Sequence, residues 1–190
     1  MGIFKVIYVI QFILIAIVRA VHTRPYRRLN IAIDKKTLPD LVLLGLAGIG
    51  MLVPLVYVFS SLLDFANYDL PEWVGWLGTI VFSVAIWLLW RSHVDLGRNW
   101  TPTLGIRDDH QLVTDGVFKH IRHPMYAAHL LWGVAAALML HNWVAGWAFL
   151  AVSGVQYLSR VHAEEQMMLE QFGAPYESYM QRTGRIIPRI

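Results

Sequence analysis

The sequence predicts an all-α integral membrane protein with about five transmembrane helices and no Rossmann fold. The first observation is composition: 56% of the 190 residues are hydrophobic, only 15% are charged, and the mean hydropathy is +0.47. This is more apolar than an ordinary soluble domain. The second is that the apolar residues form long uninterrupted runs. The third is that the basic residues collect in the segments between those runs.

Five apolar runs carry the prediction of helices. A membrane-spanning helix needs about 20 mostly apolar residues, and the runs 3–21, 41–63 and 73–90 are long enough. The runs 125–140 and 143–158 are shorter and are separated only by His141 and Asn142, so we predict a helical hairpin that either spans or dips in from one side. The first run is not followed by a small-residue cleavage site, and we expect it to be retained.

The charges between the runs predict the orientation. The segment between the second and third runs holds Asp64, Asp69 and Glu72 and no lysine or arginine. With five spans, all the basic segments fall on one side, and the positive-inside rule places the N-terminus outside and the C-terminus in the cytosol. Lys5, near the outside N-terminus, is the one basic residue that does not follow this distribution. The basic residues are Arg19, Arg24, Arg27, Arg28, Lys35 and Lys36, then Arg91, Arg98, Arg107, Lys119 and Arg122, then Arg160, Arg182, Arg185 and Arg189.

This topology leaves the segments 91–124 and 160–190 in the cytosol, where we expect the chemistry of a single membrane domain. The first segment has turn signals, and the second begins as an amphipathic helix that Gly173 and Pro175 interrupt. A net charge of +3 excludes a general nucleic-acid binder, and the absence of cysteine excludes thiolate chemistry. Membrane lipid is the expected surrounding.

Two patterns favour structural readings. Gly45, Gly48 and Gly50 lie inside an apolar run with no preceding strand, so they predict close helix packing rather than a nucleotide loop. His120 and His123 are three residues apart, but Pro124 follows directly and further ligands are too few. We therefore predict no metal site.

The stretch 122–126 predicts the start of the fourth helix. Pro124 suits the first helical turn, and the free N–H groups of that turn together with Arg122 would attract an anion. A plain interfacial anchor explains the same residues equally well. Arg160 and Glu164 share one helix face where the fifth run ends. This is either an ordinary ion pair or a charged pair at a cleft. Glu165 points about 100° further round the helix, so we expect it to face elsewhere.

Read together, these residues resemble the isoprenylcysteine carboxyl methyltransferase family, whose short prokaryotic members also have five spans. The resemblance extends over 95–188. It is carried by Asp95-Leu96-Gly97-Arg98-Asn99-Trp100, His110-Gln111-Leu112-Val113, Asp115-Gly116-Val117-Phe118, Arg122-His123-Pro124-Met125-Tyr126, Arg160 with Glu164-Glu165, Phe172-Gly173-Ala174-Pro175-Tyr176, and the tail 185–188.

The resemblance implies an S-adenosylmethionine (SAM)-dependent methyltransferase whose pocket faces the cytosol of a prokaryotic cytoplasmic membrane. Arg160 and Glu164 are the implied catalytic pair, and Arg160 matches the position that holds the acceptor's carboxylate. The implied SAM contacts are His110, Gln111, Leu112, Val113, Phe118, His123, Pro124, Met125, Tyr126 and Glu164.

Three positions depart from the family pattern. Phe118 replaces a common tyrosine, which removes one polar contact. Thr103 stands where eukaryotic members have glutamine, and Ala128 replaces a frequent glycine. The last change exchanges one small residue for another, so we expect close packing to survive.

The implied acceptor is a lipophilic, isoprenoid or lipid-like carboxylate that enters from the bilayer, with the segment 176–188 as a candidate lid. A phospholipid amine or a small thiol is the alternative acceptor, and an amine would need His123 or Glu165 as a base. An NADPH-dependent membrane reductase and a non-enzymatic membrane scaffold are the other classes considered.

Overall fold

The computed structural model describes residues 2–26, 31–34, 37–101, 105–107 and 110–189. Arg27, Arg28, Lys35 and Lys36 of the basic segment, and Thr103, lie outside these residues. The elements are α1 (Ile3–Thr23), β1 (Ile31–Asp34), α2 (Leu38–Phe59), α3 (Glu72–Leu96), β2 (Gly105–Arg107), α4 (Pro124–Leu140), α5 (Ala145–Phe172) and α6 (Ala174–Arg182).

The helical architecture confirms the predicted fold class, with one long helix on each apolar run. A capping box starts α2, because Thr37 accepts from the amide of Asp40 and the Asp40 carboxylate accepts from Thr37 in return. Two helices are longer than the runs suggested. α3 continues to Leu96, so the first six residues of the expected loop are helical. α5 runs unbroken for 28 residues and ends at Gly173, whose φ of 56° is left-handed.

The outer surface of the bundle is apolar, as a lipid-facing surface must be. Among the described residues, α1, α2 and the helix from Glu72 to Asn99 are long and apolar enough to cross a membrane, and α4 is a shorter apolar helix. Large side chains such as Ile17 on α1, Ile49 on α2 and Ile80 on α3 are more than half exposed. The chain is an integral membrane protein.

Helix packing joins α3 to α4, α4 to α5, α2 to α5 and α1 to α3. At the crossing of α4 and α5, a Cβ on Gly133 would lie 2.6 Å from the Cα of Leu150, so only glycine permits this approach. The predicted packing role of the α2 glycines holds for Gly50, where a Cβ would contact Val152 of α5 at 3.1 Å. A Cβ on Gly45 or Gly48 would meet nothing within 4 Å among the described residues, so the packing role of these two glycines stays a prediction.

A short two-stranded sheet adds to the predicted helices. β1 and β2 pair antiparallel, with Ile31 opposite Arg107 and Asp34 opposite Gly105. Both strands are too short for a period of two to stand out, and they are more than 70 residues apart in sequence. The sheet ties the connection after α1 to the connection after α3.

The turn between α4 and α5 is organised by the buried side chain of Asn142. Its Nδ2 donates to the carbonyl of Leu63 at 2.6 Å and to Oδ1 of Asn67 at 2.9 Å. Its Oδ1 accepts from the amides of Val144 and Ala145 at 3.1 and 2.9 Å. This amide therefore caps α5 and fastens the hairpin to the connection between α2 and α3. We call this region the Asn142 end.

Lys5, the basic residue that dissents from the charge pattern, has a local partner. Its Nζ donates to the carbonyl of Tyr57 at 3.3 Å and lies 3.6 Å from the centroid of the Tyr57 ring. The hydrogen bond and the cation–π contact satisfy the ammonium group near the start of α1.

Candidate active site

A cavity of about 940 Å³ lies at the end of the bundle opposite the Asn142 end. Its walls come from α1, α2, α4, α5 and α6 and from the connection between α3 and α4. We call this region the site end. The cavity contains both stretches that the sequence singled out. The lining residues include His110, Gln111, Leu112, Val113, Phe118, His123, Pro124, Met125, Tyr126, Arg160 and Glu164.

Glu164 faces this cavity from α5 and is held by two residues at the start of α4. The Tyr126 hydroxyl donates to its Oε1 at 2.6 Å, and His123 Nδ1 lies 3.5 Å from its Oε2. The family resemblance implied that His123 and Tyr126 contact SAM directly. In the structure their donors point to a protein carboxylate, so they fix the position of Glu164.

Arg160 lies one turn before Glu164 on α5 and is only 6% exposed. The Nε atom lies 3.9 Å from Oε1 of Glu164, beyond hydrogen-bond distance, and it is buried with no hydrogen-bond partner among the described residues. A buried guanidinium N–H is costly to leave unsatisfied. Arg160 and Glu164 therefore form an ion pair without a hydrogen bond from Nε, which leaves donor capacity in the cavity wall.

Glu165 is the residue whose role the sequence missed. It does face away from Arg160, but towards a buried cluster rather than solvent, and it is 4% exposed. Arg122 donates to its Oε1 through Nε at 3.1 Å and Nη2 at 2.9 Å, and Arg185 donates to its Oε2 through Nη2 at 2.7 Å. The carboxylate of Glu165 thus joins three chain segments.

Arg122 takes part in this cluster instead of offering its charge to an anion, so the anion site, one of the two readings that the sequence left open at the start of α4, is not supported. Besides Glu165, its Nη1 donates to the carbonyls of Met180, at 3.0 Å, and Thr183. The backbone completes the link, because the amides of Arg122 and His123 donate to Gly184 and Arg185 carbonyls at 2.8 Å each. The segment 176–188, proposed as a lid, is therefore hydrogen-bonded to the start of α4 and forms part of the cavity wall.

The ionisation of the cluster follows from these contacts. Burial by itself would lower the pKa of His123, but the carboxylates of Glu164 and Glu165 outweigh it and raise that pKa. Burial would raise the pKa of Glu165, but hydrogen bonds from His123, Arg185 and Arg122 hold it well below its usual range. At neutral pH the cluster therefore contains a firmly ionised Glu165.

The stretch 110–118 is positioned by the end of α3. Asp95 Oδ2 accepts from the amide of Val117 at 2.9 Å, and its Oδ1 accepts from Arg91 at 2.6 Å. Asn99 Oδ1 accepts from the amide of Gln111 at 3.0 Å. A Cβ on Gly116, with φ 60°, would collide with the Asp95 carboxylate at 2.1 Å. Asp95, Asn99, Gln111, Gly116 and Val117 belong to the motif pieces that carry the resemblance, but the sequence alone does not show that they contact one another.

Phe118 lines the cavity, and α6 fixes its backbone. The Tyr179 hydroxyl donates to the Phe118 carbonyl at 2.6 Å. Burial raises the pKa of Tyr179 to about 12, so this donor stays protonated. Ala128, the small-for-small departure, is fully buried in the core, as close packing requires.

The same cavity continues away from the charged residues into an apolar branch. Its walls are Ile15 and Ala16 on α1, Ala47 and Met51 on α2, and Trp132 on α4. The small residues keep the space between α1 and α2 open. The arrangement can hold a polar group at the charged wall and an apolar chain in the branch. No group of three or more histidine, aspartate or glutamate side chains among the described residues is placed to hold a metal ion.

Comparisons with known proteins agree on one family. Residues 76–170 match the model of the isoprenylcysteine carboxyl methyltransferase (ICMT) family. Protein-S-isoprenylcysteine O-methyltransferase B of Arabidopsis thaliana is 30% identical over 174 residues, which is 89% of this chain and 88% of that protein. The Dictyostelium discoideum protein-S-isoprenylcysteine O-methyltransferase is 32% identical over 140 residues, 70% of this chain and 54% of that protein.

A solved structure supports the fold. The eukaryotic intramembrane Ras methyltransferase ICMT, determined without a monobody, aligns with a TM-score of 0.58 at 24% identity over 96% of this chain and 62% of that chain. The arrangement of long helices is therefore shared with a larger membrane enzyme. By family match and by relatives of nearly equal length, the chain belongs to the isoprenylcysteine carboxyl methyltransferase family and is a membrane methyltransferase.

Proposed function

We propose that this protein transfers a methyl group from SAM to the carboxylate of a lipophilic, isoprenoid-like acceptor at the cytosolic boundary of the membrane. The observation that carries the proposal is one cavity with a charged wall at Arg160 and Glu164 and an apolar branch between α1 and α2. The relatives' names, which specify an S-isoprenylcysteine, support this acceptor class. The basic segments favour a cytosolic C-terminus and an outside N-terminus.

The residues around Glu164 fit SAM. This carboxylate is 23% exposed towards the cavity and held by Tyr126 and His123, so it would attract the ammonium group of the cofactor. When bound, SAM supplies a methyl group activated by a sulfonium. The other residues proposed to hold it line the same wall: His110, Gln111, Leu112, Val113, Phe118, His123, Pro124, Met125 and Tyr126.

Arg160 is proposed to orient the acceptor. Its buried Nε has no hydrogen-bond partner in the part of the chain that the structure describes, which supports a ligand oxygen there. A guanidinium also matches a carboxylate bidentately. A carboxylate is ionised at neutral pH, with a reference pKa of about 4, so it needs no base. Catalysis then rests on in-line positioning. A water-poor cavity favours the step further, since opposite charges disappear.

The state of His123 disfavours an amine acceptor. An amine must lose a proton, and His123 would be the natural base. Two carboxylates hold this imidazole and raise its pKa, so it is occupied and protonated more readily than a free histidine. Glu165 is bound by two arginines and is an even weaker base. The described site therefore supports an acceptor that arrives already ionised.

A labelling experiment tests the proposal. The purified protein in lipid nanodiscs is incubated with methyl-labelled SAM and an S-prenylated cysteine that has a free carboxylate. The matched control is the same compound as its carboxamide. We expect a base-labile labelled methyl ester from the free acid and no label on the amide. Absence of transfer, or equal labelling of both compounds, would overturn the proposal.

A further inference from the structure

A buried glutamine lies on the cavity wall next to Arg160. Gln156 precedes Arg160 by four residues on α5, and both residues line the cavity. Residues four apart share one face of a helix, so Gln156, Arg160 and Glu164 form a polar row along α5. Gln156 is the deepest member of this row, about 6 Å from Arg160 along the helix axis in the direction of the Asn142 end.

The surroundings of Gln156 are apolar on the outer side of the helix. Val155 and Leu158, on the same turn of α5, are each more than half exposed, as lipid-facing side chains are. Gln156 is only 8% exposed and lies on the inner side, against the cavity. A side-chain amide taken out of water is costly unless it is hydrogen-bonded, so this amide requires a partner.

Within the described ranges, the protein does not supply that partner. The backbone carbonyl of Gln156 accepts from Oγ of Ser159 at 3.0 Å, but the side-chain amide forms no hydrogen bond to another described residue. Nε of Arg160, one turn away, is in the same condition there. Two neighbouring donors without partners on one cavity wall indicate a single ligand group that has two acceptor atoms.

The carboxylate of the proposed acceptor is such a group. Its two oxygens accept hydrogen bonds, whereas a thioether sulfur is a weak acceptor and an isoprenoid chain has no acceptor at all. An oxygen bound by the Arg160 guanidinium leaves the second oxygen for a donor on the adjacent turn. Gln156 occupies that turn, between Arg160 and the apolar branch.

We propose that Gln156 binds the acceptor together with Arg160, its side-chain amide donating to one oxygen of the carboxylate and the guanidinium donating to the other. This inference rests on the proposed function. Two donors on adjacent turns fix both the position and the tilt of the carboxylate, which in-line transfer of a methyl group requires.

The first test is Gln156→Leu, measured with the S-prenylated cysteine that has a free carboxylate. We expect its KM to rise at least about tenfold, because a buried hydrogen bond to a charged group is lost. SAM affinity, measured directly, should not change, since Glu164 lies about 12 Å further along the helix axis. Gln166→Leu makes the same exchange at an exposed position of α5 and is the matched control; it should change neither quantity.

A second variant, Gln156→Glu, gives a readout that a structural role would not produce. The ionised side chain has no donor and repels the acceptor's carboxylate, so the KM should rise at least about 100-fold. As the pH is lowered, the KM should return towards that of the wild type, because a protonated carboxyl regains a donor and loses its charge. This test holds even if Gln156→Leu folds poorly.

The outcomes separate the inference from the function on which it rests. An unchanged KM in Gln156→Leu, or a KM in Gln156→Glu that does not respond to pH, would overturn the role of Gln156 while methyl transfer by the wild type continues. If the wild type does not methylate the free acid, the proposed function fails instead.

Discussion

The two ends of the helix bundle are both fastened by buried polar side chains, but in opposite ways. At the Asn142 end, the neutral side-chain amide of Asn142 forms four hydrogen bonds to protein groups, two as donor and two as acceptor. At the site end, charged side chains surround a cavity, and Nε of Arg160 has no hydrogen-bond partner within the described ranges. A buried polar group whose hydrogen bonds are all made within the protein has a structural role, whereas a buried donor left unsatisfied on a cavity wall indicates a ligand.

The same contrast separates two adjacent residues. Glu165 accepts hydrogen bonds from Arg122 and Arg185 and is almost fully buried, like Asn142 at the other end. Glu164 is held by fewer donors and keeps part of its carboxylate towards the cavity. Glu165 is therefore a positioning residue that assembles the site, and Glu164 is the one we propose to contact ligand.

The largest expected effect is on stability, from Glu165→Gln. This change leaves the buried guanidinium of Arg122 without its counter-charge, and breaking a buried ion pair costs about 3–5 kcal/mol. Thermal unfolding in detergent should show a lowered midpoint, together with loss of activity. Glu164→Gln is the matched control on the neighbouring position and should unfold near the wild-type temperature. Equal destabilisation by both would erase the distinction between them.

The next effect is on activity, from Arg160→Ala and Glu164→Ala. Each should lower methyl transfer by at least about 100-fold, in line with the loss of a buried charged contact to a ligand. Membrane insertion and the unfolding temperature should change little. Arg182→Ala and Glu170→Ala remove the same charges at exposed positions of α6 and α5 and should retain activity. Normal methylation by both site variants would mean that the ligand is held elsewhere.

Asn142→Ala should act at the other end only. The change leaves the Leu63 carbonyl and two amides of the α5 start without a partner, at a cost of about 1–3 kcal/mol. We expect a lower unfolding midpoint with unchanged activity per folded molecule. Ser61→Ala, at an exposed turn of the same end, should change neither. A selective loss of activity in Asn142→Ala would contradict a purely structural role.

The smallest effect is the pH dependence of stability. A raised pKa in the folded state means that the His123 ion pairs stabilise fully below the unfolded pKa of about 6.5 and are lost as pH rises through the folded pKa. The contribution of Glu165 to stability has the opposite pH dependence, because its lowered pKa keeps it ionised until the pH falls far into the acid range. The unfolding temperature of the wild type should therefore decrease as the pH is raised above neutral. The decrease should be smaller in His123→Gln. Parallel curves would show that His123 is not charged.

Much of the fold and part of the site could be predicted from local patterns. Uninterrupted apolar runs predict helices, because the backbone must satisfy its own hydrogen bonds in lipid. The four-residue spacing of Arg160 and Glu164 predicts one shared face, which the structure has. The motif pieces 110–113 and 122–126 do meet in one cavity. The β1–β2 pairing and the Asp95–Val117 contact could not be predicted, since neither leaves a periodic signal.

By itself, then, the sequence determined the helices, the class of protein and the list of side chains available for chemistry. Only the tertiary structure decided which of those charges stay available. Arg122 and Glu165 neutralise each other across 43 positions, and Arg185 donates to the same carboxylate across 20. The physical reason is that periodicity specifies the direction of a side chain on its own helix, whereas the availability of a charge depends on the partner that another helix brings to it.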